Sequence, residues 1–138
     1  HYGTLALRDD ATQRHVHANR VAALYSSGDS SRALADANHL LAAHPDYAFG
    51  YFHRSVCYLV AANEASHTLK PIFIRHSLAD IDHALVLDPS NHDFAGHQRL
   101  LYSIVGPEVQ QTESSLDGWE LAGNIATVVG KLLGGVIG

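Results

Sequence analysis

The segment from Ala18 to Val60 sets the tightest limit on what this chain can fold into. Its sequence, ANRVAALYSSGDSSRALADANHLLAAHPDYAFGYFHRSVCYLV, predicts two helices joined at a Gly-Asp turn, a proline-marked stop and a third helix. Apolar residues recur every three or four positions before Gly28, at Val16, Ala23 and Leu24, and after it, at Ala33, Leu34, Ala37, Leu40 and Leu41. Asp29 and the serines after it suit the start of the second helix, and Pro45 suits its end. A hairpin this short cannot bury its own apolar face, so it predicts stacking on further helices of the same kind. Such an all-α stack is a surface for holding another protein.

A second copy is visible. His76 to Asn91, HSLADIDHALVLDPSN, repeats the logic of Ser31 to Tyr47, with an Ala-Leu or Leu-Leu pair followed by a closing proline. A third fragment, His92 to Gly106, reads as a first helix without its partner, stopped by Gly106-Pro107. The chain resembles a tetratricopeptide-repeat domain of the co-chaperone type. The residues that carry the resemblance are Asn19-Arg20, Gly28-Asp29, Pro45 and Gly50-Tyr51-Phe52-His53-Arg54, and it covers residues 11–105, most strongly in the first repeat.

The resemblance implies antiparallel helix hairpins stacked as a short α-solenoid. Repeat one is expected over about residues 14–47, repeat two over 48–91 and a capping helix over 92–105. That family's period is about 34 residues, whereas Pro45 and Pro89 lie 44 apart. The excess is expected as a lengthened loop over 63–75, where Pro71 and several cap-type residues interrupt the helical pattern. A complete three-repeat domain would also have a helix before Ala11, and His1–Asp10 is read as the start of something begun upstream or as an appended sequence.

In the co-chaperone family the first helices of successive repeats line a groove, where asparagine, lysine and arginine clamp the terminal carboxylate of an acidic tail. Position by position, the clamp asparagine matches Asn19, the lysine falls on Phe49 and the arginine on His53. Arg54 sits about a hundred degrees further round the helix and cannot substitute. Neither phenylalanine nor neutral histidine reproduces the bidentate fork of a guanidinium. An altered peptide-binding groove is therefore expected, made of His15, Asn19, Phe49, Phe52, His53, Val56 and His97. His15, His53 and His97 fall at corresponding sites on three first helices, and their protonation near pH 6 is expected to favour acidic ligands.

Composition narrows the function classes. The chain has 138 residues, a formal net charge of -5 and only two lysines, which argues against nucleic acid and against a polybasic membrane patch. Cys57 has no partner for a disulfide, and a reducing, cytoplasmic location fits it. There are eleven histidines, but no His-x-x-x-His or Cys-x-x-Cys pair, so neither a structural metal nor a cofactor is expected. No phosphate-cradling glycine motif or nucleophile elbow is present, and no enzymatic activity is expected. The Asp80/Asp82 pair is read as part of a solvated helix face.

The C-terminal segment carries a second signal. Residues 106–118 are polar and turn-rich, a linker. Over 119–138, Trp119, Leu121, Ile125, Val128, Leu132 and Val136 mark an apolar helical stripe, with glycines mainly on the other side. This helix is expected to cap its own repeats, to dock on a neighbouring copy, or to meet a membrane or partner. The residues favour an interaction module that binds a protein or peptide in its groove. An assembly subunit that self-associates through the C-terminal helix is the alternative.

Overall fold

In the computed structural model the described residues are 2–109 and 125–132, with side chains described at 11–105 and 125–132. All the described elements are helices: α1 (Tyr2–Ser26), α2 (Ser30–Ala43), α3 (Ala48–Glu64), α4 (Lys70–Leu87), α5 (His92–Val109) and α6 (125–132). From α1 to α5 each helix packs on the next, most extensively α3 on α4, and α1 also reaches α3.

The α1–α2 turn follows from two residues. Gly28 takes φ +88°, a left-handed conformation that costs glycine nothing. It lets the Asp29 amide reach the Leu24 carbonyl at 3.0 Å and its own amide reach the Tyr25 carbonyl at 3.1 Å, closing α1 in a Schellman arrangement. The Asp29 carboxylate then accepts from the Arg32 amide at 3.2 Å and opens α2. At the other end of α2, the Tyr51 hydroxyl donates to the Pro45 carbonyl at 2.8 Å and fixes the approach to α3. Gly50 permits the α2–α3 contact, because a Cβ there would lie 2.7 Å from Leu41 Cδ2.

The expected long loop is not formed. Only residues 65–69 separate α3 from α4, and the extra length extends both helices, to 17 and 18 residues. Pro71 lies in the first turn of α4, where its missing N–H breaks no helical bond, so it starts a helix and does not interrupt one. Lys70 completes the junction. Its buried ammonium donates to the carbonyls of Ala62 at 2.9 Å and Asn63 at 3.1 Å, covering the last turn of α3 and opposing its dipole.

Two other expected boundaries differ. α1 begins at Tyr2, well before Ala11. α5 runs through Gly106-Pro107 to Val109. Ile104 and Val105 are buried and anchor its last turns, although Pro107 supplies no donor for the Ser103 carbonyl. Of the expected linker, 106–109 is therefore helical and 110–118 lies outside the described residues.

The main core joins Leu59 and Ala62 of α3, Ile74, Ile81 and Ala84 of α4, Phe94, Leu101, Ile104 and Val105 of α5, and Ile125, Val128 and Val129 of α6. A smaller cluster of Val21, Ala33, Ala37 and Cys57 ties α1 and α2 to α3. On α1 the stripe expected at Val16 and Ala23 is misplaced. Both are exposed, and Ala18 and Val21 are the buried residues.

The α3–α4 pair also carries a three-rung ladder. Tyr51 stacks on His83 with ring centroids 4.2 Å apart, and Tyr58 stacks on His76 at 5.0 Å. Between them Arg54 makes a two-point contact with Asp80, Nε to Oδ2 and Nη2 to Oδ1, both at 2.8 Å. Arg54 Nη1 also donates to Asn38 at 3.1 Å, so one guanidinium joins α2, α3 and α4. Asp80 is buried, and Asp82 accepts from Gln98 at 2.8 Å and from Tyr102 at 3.3 Å. The reading of this acidic pair as a solvated face is overturned, because each aspartate bridges to a neighbouring helix.

Candidate peptide-binding face

The groove residues expected from the sequence divide into a ring cluster and two exposed polar positions. On α3, Phe49 and Phe52 are three apart and reach the same ring of α5. Phe49 meets Phe94 edge-on at 5.1 Å and Phe52 stacks on it at 5.2 Å. Phe52 also meets His53 at 5.2 Å and His97 at 5.3 Å, both edge-on. These geometries are the favourable ones for aromatic pairs. Val56 is buried. His15 and Asn19 on α1 are exposed.

The structure adds residues to the expected set. Phe94 is fully buried and organises the cluster. Tyr25 reaches across from α1, its hydroxyl sharing a hydrogen bond of 3.1 Å with His53 Nδ1. Arg14 lies over the Tyr47 ring at 4.7 Å, and Tyr47 in turn meets Phe49 at 6.1 Å. A cation therefore stands at the edge of the ring row, held by its own π contact.

His53 and His97 do not carry the charge expected of them near pH 6. Burial pushes His53 down to about 4, with a smaller contribution from the nearby His15. Burial alone pushes His97 down to about 4. Both rings are neutral at physiological pH. Burial, and then Cys57, holds Tyr25 up at about 12, so its hydroxyl keeps its proton. Cys57 itself is buried and raised to about 12, first by burial, which leaves it no thiolate character.

Arg54 does not compensate for His53, because its guanidinium is committed to Asp80 and Asn38. The face thus presents apolar rings and neutral nitrogens where a carboxylate clamp would present cations. Phe49 remains 41% exposed. Ile125, Val128 and Leu132 pack with the main core, whereas Trp119, Leu121 and Val136 lie outside the described residues.

No described helix is long and apolar enough to cross a membrane. Among the described residues no group of three His, Cys, Asp or Glu side chains is placed to hold a metal ion. Comparison with family models, with curated proteins and with solved structures returned no match.

Proposed function

We propose that this chain is a non-enzymatic interaction module of the tetratricopeptide type, whose α1–α3–α5 face holds a peptide or helix by an apolar anchor. The observation that carries the reading is Phe49. It is a large exposed ring seated edge-on against buried Phe94, on which Phe52 also stacks, and Phe52 in turn meets His53 and His97, both kept neutral by burial. A partly exposed aromatic on a pre-packed base is the usual form of a binding hot spot. The lack of a cation at the clamp positions, held by Phe49 and His53, disfavours an acidic tail and favours an aliphatic or aromatic side chain. The unpaired Cys57 suits a reducing compartment such as the cytoplasm. The assembly alternative has less support, because the described part of the C-terminal helix is already used inside its own core.

The reading is tested by placing a photoreactive benzoylphenylalanine at Phe49 and, separately, at Val86, which is 77% exposed on α4. A discrete partner cross-linked from position 49 and absent from position 86 is the expected result. Identical cross-linking patterns from both positions would count against the module.

A further inference from the structure

We propose that the crevice between α1 and α2 is a second ligand site, for a phosphoryl group carried on a small apolar body. The crevice has a volume of about 320 Å³ and is lined by Arg20 and Leu24 from α1 and by Arg32, Ala35, Asp36 and His39 from α2. The one carboxylate in this lining is already filled. Asp36 Oδ2 accepts from Arg20 Nε at 2.7 Å, and Oδ1 accepts from Arg20 Nη2 at 2.9 Å and lies 3.0 Å from His17 Nε2. These contacts fix the Arg20 guanidinium plane and leave its outer N–H groups toward solvent, with the side chain 61% exposed.

Arg32 is 77% exposed, and its nearest acid, Asp29, lies 3.7 Å away, beyond hydrogen-bond range. The lining therefore offers donors: two guanidiniums and the exposed imidazole of His39. A lining dominated by guanidinium donors, its one carboxylate already bonded, favours an oxyanion. Three separate donor groups match the three terminal oxygens of a phosphoryl group, whereas one guanidinium already satisfies a carboxylate. Leu24 and Ala35 add apolar surface, which favours an organic phosphate over the free ion.

The test is a titration of the whole chain followed by the arginine side-chain N–H signals in NMR. Inorganic phosphate, phenyl phosphate and benzoate are compared at one pH and at constant ionic strength. Saturable shifts at Arg20 and Arg32 are expected, with phenyl phosphate binding tighter than phosphate and benzoate weakest. Arg32→Gln, on an exposed side chain, should weaken phenyl phosphate at least tenfold while the backbone spectrum stays folded. Three results would overturn the proposal: no saturable shift with either phosphate, equal affinity in Arg32→Gln, or benzoate binding as tightly as phenyl phosphate. The last would reassign the crevice to carboxylates.

Discussion

Ser55 and Ser77 exchange hydroxyl for carbonyl across the α3–α4 contact, Ser55 Oγ donating to the Ser77 carbonyl and Ser77 Oγ to the Ser55 carbonyl, each at 2.7 Å. A hydroxyl has one proton, so this exchange uses both. Ser55 Oγ, 3.1 Å from His97 Nε2, is left as an acceptor, and the ring must carry its proton on Nε2. His97 Nδ1 is then a bare acceptor with no partner among the described residues. One buried polar knot thus ties α3, α4 and α5 together and leaves a single lone pair unmatched.

Ser55→Ala removes the acceptor for His97 Nε2–H and the donor for the Ser77 carbonyl, both buried. The expected loss is about 2–3 kcal/mol. His97→Leu removes the unmatched lone pair along with the ring, so it should destabilise less than Ser55→Ala. Urea denaturation of the two variants gives the order, and the reverse order would contradict the proton assignment.

The same burial sets a pH dependence. His53 and His97 fall from an ordinary value of 6.5 to about 4 in the folded chain. Between those values the unfolded chain binds protons that the folded chain refuses, so stability is complete above pH 6.5 and declines as pH falls toward 4. For His97 alone the decline is on the order of 3 kcal/mol. Thermal melts from about pH 7.5 to 4 should show it, and His97→Leu should flatten the curve. Peptide affinity should not vary between about pH 8 and 6 through either of these two histidines, which reverses the expectation drawn from their corresponding positions on successive first helices.

Breaking the ladder's middle rung should cost more than a surface ion pair. Asp80 is 5% exposed, and Arg54 holds both of its oxygens together with Asn38. Asp80→Ala leaves a half-buried guanidinium without its partner, at a cost of about 3 kcal/mol. Arg54→Lys should recover only part of the stability, since an ammonium cannot make the two-point contact. Chemical denaturation of the two variants measures both, and a lysine variant equal to the parent would show that charge alone suffices.

How much of this is legible in the sequence differs by element. The α1–α2 turn is readable because Gly28 and Asp29 act through local backbone chemistry. Pro71 and Pro107 look like breaks in the sequence and are not. A proline in a first turn costs no helical bond, and the burial of Ile104 and Val105 carries α5 past the second. The α1 stripe is misplaced by periodicity because α1 meets both α2 and α3, and the close contact falls on small Ala18 rather than on the larger Val16. Repeat register finds Phe49, Phe52, His53 and His97, which do come together, but it misses Phe94 and Tyr25, which seat them. The ladder does leave a trace in the sequence. Tyr51, Arg54 and Tyr58 have the spacing of His83, Asp80 and His76 read backwards, as two antiparallel helices require.

Mutations should separate the C-terminal helix from the candidate peptide-binding face. Ile125 is fully buried, and Val128 and Val129 are nearly so, all within the core that holds Ile81, Phe94 and Leu101. Ile125→Ala should therefore cost about 2–4 kcal/mol, the range for a large core side chain truncated to alanine. Phe49→Ala, at an exposed ring, should change stability far less while removing apolar-ligand binding. Deleting 119–138 should lower the melting temperature and expose surface that binds a hydrophobic dye, without strengthening any ligand held at Phe49. A truncated chain that is as stable as the parent and binds its partner more tightly would show that the helix competes for the face instead of completing the core.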